Sequence, residues 1–598
     1  MKKINYFLSI CLLALCGVCL VSCEDYLDKS PESDISEKDV FGNFTSFQGF
    51  VEQMYNLIQD PDKGGAWNLC LFADETLGPN PYQFDTGNYW DASSYFYGKS
   101  ASTNDDPRSK RVWENAWYGI RIANLALDKL EEDGLFLGTE EEKNHLKGQA
   151  LFFRGWFYFE ICRFWGGMPY VQRVIDPVED MFTEEFYRTN FRESALKMAT
   201  DFQAAAELLP NHWDLSEPGQ ATKGHNNGRV NKFFALGYLG KAYLFAASPM
   251  MNEEATGSGA FDPELCAKAA DAFGKLLKLA DETGIYKMQS WETWTDCFWR
   301  WNKERPGGTE CIMMPTVYKY DRVRWSTTGA MVPSSIGLNS GNSADVPTHN
   351  YVKNYAMANG LPISDPESGY DPNDPWTNRE PRFYKDILFD GCQIWDKAGD
   401  DKYAQLYNGG RHRNGIKPAS ATGYYYKRYA PMGPEFSISK ANNLQSYKPY
   451  LRLADIYLMY AEAVNFSSNG GPMATSSTYS KTAVEALNVV RNRAQLPNLS
   501  AKYSVNKDIF FEEIVRERAV ELAFEGERFD DLRRWNRNYD PRYLEKTAID
   551  FDRDSDGKPT NVRERVVIRR AVTKKHNWLP IQTKYTTLYE GFLQNPGW

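Results

Sequence analysis

Three glutamates towards the carboxyl end of the chain are of the residue type that acid–base catalysis uses. Glu517, Glu521 and Glu525 follow one another at four-residue spacing, so one face of a helix would carry them. Glycosidases cleave their substrates with paired carboxylates of this kind. However, Arg518 lies three residues before Glu521, and opposite charges at that spacing stabilise a helix. Because no Ser-His-Asp order or HExxH motif stands out either, we interpret these acids as structural ions and predict no enzyme activity.

A second acidic motif begins like a calcium-binding loop. Asp552, Asp554 and Asp556 place oxygen ligands on alternate residues, and Gly557 follows at the position of the sharp turn. The twelfth position, which should be a bidentate glutamate, is Arg563. We therefore predict a solvated turn with no bound metal.

The aromatic side chains point to another chemistry, which is the stacking of sugar rings. The chain has 17 Trp and 36 Tyr, more than a helical core requires. Sugars present apolar C–H faces that stack on aromatic rings, while nearby amides and guanidinium groups fix their hydroxyls. Two aromatic-rich regions, about 67–95 and 291–325, are the candidates. The predicted ligand contacts are Tyr89, Trp90, Tyr320, Arg324 and Trp325.

Four other tryptophans of the second region are interpreted as packing residues. They are Trp291, Trp294, Trp299 and Trp301. Trp294 and Trp301 are seven residues apart, so they would share one face of a helix.

The amino terminus has the features of a bacterial lipoprotein leader. Lys2 and Lys3 precede an apolar run over residues 6–21 that is too short to span a bilayer. Residues 20–22, Leu-Val-Ser, then lead to Cys23 and an abrupt change to acidic, polar sequence. We predict a signal peptide at 1–22 and lipidation of Cys23; the alternative is a signal peptide cut elsewhere. Acyl chains would anchor the protein to a membrane.

Net charge and cysteine spacing argue against several kinds of function and site. The formal charge is −10, and removal of the leader, which contains two lysines and no acid, makes it −12. An acidic chain argues against nucleic-acid binding, which needs clustered Lys and Arg. Six cysteines follow Cys23, and they are scattered without paired spacing: Cys70, Cys162, Cys266, Cys297, Cys311 and Cys392. Neither a disulfide framework nor a zinc site is visible in that pattern.

Periodicity predicts an all-α fold with a helical frame and a long irregular insertion. Helical patterns occupy about 105–285 and 449–540, whereas about 290–448 is rich in Gly, Pro, Asn and Asp. Residues 151–159 and 451–461 are apolar nearly all round, which predicts buried helices and not membrane spans. We expect residues 23–598 to form a single domain.

One stretch of the frame has the spacing of a tetratricopeptide repeat. Leu236, Leu239, Gly240 and Tyr243 match its first helix, with Leu in place of the usual Trp, and Ala269-x3-Phe273 matches its second. Small residues let two helices approach, and the aromatic rings fill the groove between helix pairs. The pattern favours a helical-hairpin solenoid over an unrelated helical bundle.

Several motifs in order resemble the SusD/RagB family of outer-membrane nutrient-binding lipoproteins of Bacteroidetes-type bacteria. The similarity spans the mature chain and is strongest near its end. The motifs are the segment after Cys23, WGGMP at 165–169, AASP at 246–249, NREPR at 378–382, RLAD at 452–455, NVVRNRA at 488–494, EGER at 525–528, DDLRRW at 530–535 and QNPGW at 594–598.

The resemblance implies a tetratricopeptide-like frame, no catalysis and a partner; we also predict no cofactor. In that family the partner is a SusC-like TonB-dependent transporter, over which the lipoprotein acts as a surface-exposed lid. It captures a glycan and passes it to the barrel. No family motif fixes the ligand-contact loops, so the aromatic candidates above do not follow from the resemblance.

Three rival functions stay open at this stage. A peptide-binding, RagB-like member would use backbone hydrogen bonds from a cleft and would tolerate loss of the loop tryptophans. A glycoside hydrolase would release reducing ends. A solenoid scaffold for protein interactions would bind no small ligand.

Overall fold

A computed structural model describes residues 35–58, 69–78, 84–90, 112–176, 180, 183–302, 304–315, 333, 345–399, 402–415, 419–441, 443–588 and 590–598. The chain is mostly helical, as predicted, and its strands are few and short. The helices are α1 (Glu37–Phe41), α2 (Phe44–Val51), α3 (Gln53–Asn56), α4 (Val112–Glu131), α5 (Glu140–Trp165), α6 (Phe191–Leu208), α7 (Lys232–Ala247), α8 (Pro249–Thr256), α9 (Pro263–Thr283), α10 (His349–Val352), α11 (Pro381–Asp386), α12 (Ile438–Ala441), α13 (Leu453–Phe466), α14 (Ala483–Arg493), α15 (Lys507–Glu521), α16 (Glu527–Arg534), α17 (Pro541–Leu544) and α18 (Thr583–Thr586).

In the described ranges the strands form two-stranded antiparallel ladders, of which only the ladder within residues 545–569 is long. They are β1 (Thr76–Leu77), β2 (Trp299–Arg300), β3 (Cys311–Met313), β4 (Val346–Pro347), β5 (Ile387–Leu388), β6 (Tyr425–Tyr426), β7 (Gln445–Ser446), β8 (Leu451–Arg452), β9 (Glu545–Arg553) and β10 (Pro559–Arg569). The pairs are β1 with β4, β2 with β7, β3 with β8, β5 with β6, and β9 with β10.

Helix α5 shows how local sequence sets the helix boundaries. The Thr139 hydroxyl accepts the N–H of Glu142 at 3.2 Å, and the Glu142 carboxylate accepts the N–H of Thr139 at 2.7 Å. The helix ends at Gly166, whose φ of 79° suits a residue without a side chain. Residues 151–159 are buried on every side, as predicted. No helix in the described ranges combines the length and apolar composition needed to cross a membrane.

The long helices pack mainly on their neighbours in sequence order. Helix α4 packs on α5, α5 on α6, α6 on α7, α7 on α9, and α9 on α13. In the α7–α9 contact, a side chain added at Gly240 would lie 2.4 Å from the Phe273 ring, and Phe273 is fully buried. The close approach predicted from Gly and Phe is therefore present; the assignment to the tetratricopeptide class stays a prediction.

The insertion has a hydrophobic core of its own. Most members of this second cluster come from residues 294–447, and the frame has a separate, larger cluster. Helix α15 belongs to both, because Phe510 and Ile514 lie in the frame cluster whereas Val520 lies in the insertion cluster. Strand β3 attaches the insertion to the frame by pairing with β8, which leads directly into α13, whereas β2 pairs with β7 within the insertion. Residues 451 and 452 are thus strand, although the apolar pattern predicted helix.

Between the two cores lies a cluster of buried ion pairs, which we call the arginine network. Every one of its side chains is at most 5% exposed. Its members are Arg382, Arg428, Arg452, Arg491, Arg493, Glu310, Glu380, Asp386, Glu517, Glu521 and Glu525.

Glu521 is at the centre of the arginine network. Its carboxylate accepts from Arg452 Nη1 at 2.7 Å and Arg382 Nη1 at 3.0 Å, and it also pairs with Arg493. Burial alone would raise the pKa of Glu521, but these guanidinium groups, with that of Arg428, outweigh burial and lower it below the usual value. Glu521 therefore stays ionised at neutral pH.

The arginine network also caps the carboxyl end of helix α15. The last carbonyl groups of a helix lack partners within it. Arg452 donates to the Glu521 carbonyl at 2.6 Å, and Arg428 donates to the Glu521 and Ala523 carbonyls at 3.0 and 2.7 Å. Arg428 lies in the insertion, where it also donates to the two carboxylate oxygens of Asp386 at 2.8 and 2.9 Å. The helix end and the insertion are thus held by the same side chains.

The acidic motif at 552–557 forms the turn of the β9–β10 hairpin. Asp554 uses a side-chain oxygen to accept the N–H groups of Asp556 and Lys558, both at 2.9 Å, and Gly557 has a φ of 78°. Asp552 accepts from the side-chain amides of Asn408 and Asn561 at 2.8 and 2.9 Å. The prediction of a turn is confirmed. Within the ranges the structure describes, no group of three His, Cys, Asp or Glu residues is arranged to hold a metal ion.

The helix approach at Gly240 can be tested with a matched pair of variants. Alanine favours a helix over glycine by about 1 kcal/mol. Gly49 in α2 has open space around it, so Gly49→Ala should raise the denaturation midpoint. Gly240→Ala should lower it, because overpacking typically costs about 1–3 kcal/mol. Urea denaturation followed by circular dichroism would show the difference; equal shifts for both variants would contradict the close packing.

The contribution of the arginine network to stability can be measured by removing the charge of Glu521. Glu521→Gln should destabilise the protein by about 3–5 kcal/mol, the usual effect of leaving a buried charge without its partner. Because the pKa of Glu521 is lowered, its contribution is complete above pH 4.5, its ordinary pKa, and is lost as pH falls towards the lowered value.

The control is Glu282→Gln, which breaks the exposed Lys278–Glu282 pair, 3.9 Å apart and about 60% exposed at both ends. It should leave the urea midpoint unchanged at every pH. A Glu521→Gln protein as stable as this control would refute a structural role for the network.

Candidate functional site

The three glutamates that could suggest catalysis are not available to a substrate. The side chains of Glu517 and Glu521 are at most 1% exposed, and that of Glu525 is 3% exposed. Glu517 pairs with Arg382 at 2.6 Å and Arg491 at 3.3 Å. A buried carboxylate with its oxygens already bonded to arginines has no free position for a substrate or water. The interpretation of these acids as structural ions is supported.

The expected partner of Glu521 was wrong, however. Arg518 does not pair with it; Arg518 bonds Asp455 and Asp531, both at 2.8 Å. The arginines that bond Glu521 come instead from β8, α11 and α14. Spacing within one helix therefore identified the kind of interaction but not the partners.

Of the predicted aromatic contacts, Tyr89 and Trp90 lie at the end of residues 84–90 and differ in exposure. Tyr89 is fully buried, with its ring 5.0 Å from Phe84 and 4.7 Å from His576 between centroids. Burial raises the pKa of its hydroxyl. A ring enclosed in this way cannot stack on a ligand, so we do not retain Tyr89 as a contact. Trp90 is 43% exposed and lies edge-on to Trp598 at 6.0 Å.

The remaining predicted residues lie outside the described part of the chain. These are Tyr320, Arg324 and Trp325 among the ligand contacts, and Cys23 as the lipidation site. They stay predictions.

All four tryptophans assigned to packing have that role: Trp294 belongs to the core of the insertion, and Trp291, Trp299 and Trp301 pack against it. Trp294 is fully buried and stacks on Trp291 with centroids 5.3 Å apart. Lys385 lies against Trp291. Its Nζ is 4.0 Å from the Trp291 ring centroid and donates to the Trp291 carbonyl oxygen at 2.7 Å. The predicted shared helical face was wrong, because the segment forms a 3-10 turn (Trp294–Cys297) followed by strand β2.

Trp299 and Trp301 pack against the core of the insertion with one side and form an aromatic surface with the other. Alternate residues of an extended segment point to the same side, and the two rings meet at 5.4 Å with an interplanar angle of 65°. Both rings are partly exposed. Arg300, between them, pairs with Asp296 at 3.1 Å and Glu304 at 2.5 Å. Asn302 then turns the chain with a φ of 60°, a conformation that Asn tolerates.

A cavity of about 330 Å³ opens beside Trp301. Its other walls are Asn302, Ser439, Lys440 and Asn443, all exposed. The cavity thus combines an aromatic ring with two amides, a hydroxyl and an ammonium group. Pairing of β2 with β7 brings these two distant segments together, because Trp299 lies opposite Ser446. This combination suits a polyhydroxylated ring, with a flat apolar face against Trp301 and hydroxyls towards the polar groups.

Two larger cavities on the helical frame have no partly exposed Trp or Tyr in their walls; the partly exposed aromatic ring there is the smaller Phe44, which lines one of them. One of about 530 Å³ is lined by Trp213, but that ring is 2% exposed and Arg229 lies 5.3 Å from it. One of about 600 Å³ is lined by Tyr479, which is 7% exposed. The Trp301 cavity is therefore the better candidate for binding a sugar.

Sequence reasoning missed the Trp301 cavity. It assigned Trp301 to packing and did not consider residues 437–443, Ser-Ile-Ser-Lys-Ala-Asn-Asn. The available signal was the concentration of small polar residues in that short segment.

Comparison with known families gives two matches that together span most of the chain. Residues 309–598 match the SusD family, and residues 25–244 match a family described as starch-binding and associating with the outer membrane. Neither description is that of an enzyme family.

Individual relatives show the same relationship over nearly the whole length. A SusD-like protein, P2, of Formosa agariphila is 22% identical over 581 residues, covering 93% of this chain and 95% of the relative. The crystal structure of a SusD-like protein from Bacteroides fragilis has a TM-score of 0.68 at 22% identity, with 93% of this chain and 97% of that chain covered.

A third relative is a laminarin-binding SusD-like protein, which has a TM-score of 0.54 at 18% identity, with 93% and 100% covered. The shared fold and the two family matches agree with the order of motifs in the sequence. This chain belongs to the SusD/RagB family.

Proposed function

We propose that this protein is a non-catalytic, lipid-anchored protein of the outer-membrane surface that captures a glycan and delivers it to a SusC-like TonB-dependent transporter. The observation that carries the proposal is the Trp301 cavity, with its aromatic wall and four polar side chains. The description of the matched family as starch-binding and the laminarin-binding relative support a glycan as the ligand. The burial of Glu517, Glu521 and Glu525 argues against hydrolysis.

Anchoring through Cys23 and delivery to a transporter belong to the same proposal. The leader at 1–22 supplies the route of export, and the family's association with the outer membrane supports the location. A lipid at Cys23 would hold the domain at the membrane surface, close to a barrel.

Calorimetry with residues 24–598 against a panel of polysaccharides and mixed peptides tests the ligand. Trp301→Ala should weaken binding of the preferred glycan about tenfold or more. An aromatic contact contributes about 0.5–1.5 kcal/mol beyond the area it buries, and 1.4 kcal/mol is a factor of ten. The control is Tyr118→Ala, which removes a ring that is 49% exposed on α4 of the frame and should not change affinity.

Trp90→Ala distinguishes the Trp301 cavity from a second candidate binding surface, the exposed ring of Trp90 next to Trp598. Loss of binding in this variant alone would move the site to the surface formed by Trp90 and Trp598. Peptide binding that survives both tryptophan changes, with no glycan bound, would instead place the protein in the peptide-binding branch. Reducing ends released from a bound glycan would contradict the non-catalytic role.

A further inference from the structure

Two buried cysteines lie close together at the ends of the loop that carries the Trp301 cavity. Cys297 is the last residue of the 3-10 turn (Trp294–Cys297), and Cys311 is the first residue of β3. They are 0% and 7% exposed and belong to the same hydrophobic cluster. The Cys311 sulfur lies 3.8 Å from the Cys297 carbonyl oxygen.

The backbone already holds the ends of this loop together. The N–H of Gly307 donates to the Asp296 carbonyl at 2.7 Å, and the N–H of Cys311 donates to the Gly307 carbonyl at 3.2 Å. Strands β2 and β3 fix the two flanks through β7 and β8. A disulfide requires two cysteines whose backbones are near neighbours, and this arrangement supplies that proximity.

We propose that Cys297 and Cys311 form an intrachain disulfide that closes residues 298–310 and holds Trp299, Trp301 and Asn302 in place. The other cysteines of the described ranges lie on separate elements: Cys162 is in α5, Cys266 in α9, Cys392 between β5 and β6, and Cys70 beside Lys448.

Bond formation is a thiol–disulfide exchange with an external disulfide as the oxidant. One cysteine, as its thiolate, attacks that disulfide and forms a mixed disulfide while one thiol of the oxidant leaves. The second cysteine then attacks the mixed disulfide, the Cys297–Cys311 bond forms, and the other oxidant thiol leaves. The pair loses two electrons and two protons, and the oxidant disulfide is reduced to two thiol groups.

The exchange belongs to folding and not to the finished structure. Burial, followed by the neighbouring Cys311 thiol, raises the pKa of Cys297 well above its usual value, so thiolate is scarce once the loop is packed. During folding outside the cytoplasm, where protein disulfide oxidants act, both thiols are still accessible. Only this export step depends on the proposed function; the pairing depends on the geometry of the loop.

Refolding in a glutathione redox buffer tests the pairing. Residues 24–598 are refolded from urea with oxidised and reduced glutathione, free thiols are alkylated in denaturant, and the digest is analysed by mass spectrometry. We expect a dominant cross-linked peptide joining Cys297 to Cys311, lighter by two hydrogens than its reduced parts, with the remaining cysteines alkylated. Alkylation of all six cysteines, or linkage of Cys297 to several partners, would overturn the proposal.

Two variants control for unspecific oxidation. Cys392→Ala should keep the linked peptide, whereas Cys297→Ala should lose it and leave Cys311 alkylated. The main readout uses the unchanged chain, so a folding defect in a variant does not decide the result.

The same digest of protein purified from the producing bacterium tests the export step separately. A linked peptide there supports both the pairing and the proposed location. Linkage after refolding in glutathione but free thiols in the cellular protein would contradict the proposed surface location and leave the pairing intact.

Discussion

The arginine network is the interaction on which the rest of the structure depends. Placing so many ions inside a protein is costly, and each desolvated charge requires a close partner. Glu521 obtains three, from Arg382, Arg452 and Arg493. These arginines belong to different elements, so the charges can be satisfied only when the frame and the insertion are packed together. The network therefore fixes one arrangement of the two hydrophobic cores.

Packing on the helical frame holds the irregular insertion in position. The residues of the insertion that the structure describes form only short helices and strands, and elements of that size are not stable alone. Arg428 joins the insertion to the end of α15, and β3 joins it to β8, which leads into α13. The Trp301 cavity is built directly on β2. A binding surface made of loops can thus be specific, because the helices and the buried ions position its walls.

The sequence predicted the parts of the fold that rest on local patterns, and it failed where distant segments meet. Apolar runs and small-residue spacing are local, so the buried helix at 151–159 and the close contact at Gly240 were predicted. The partners of Glu521 could not, because helical spacing describes only one helix. Trp301 packs against the insertion core as predicted, but the cavity beside it was missed for the same reason: Asn443, in its wall, is far away in sequence, and β-pairing brings it close. The prediction of Tyr89 as a ligand contact failed for another reason: the aromatic content of a segment does not distinguish a buried ring from an exposed one.

Hydrogen–deuterium exchange with and without the bound glycan tests the central claim most directly, which is that a rigid frame presents the binding surface of the insertion. The account predicts that glycan slows exchange in peptides covering 299–302 and 438–443. It also predicts slow exchange in α5, α7 and α15 that glycan does not change. Protection confined to the frame cavity near Trp213, or glycan-dependent changes spread through the helices, would contradict it.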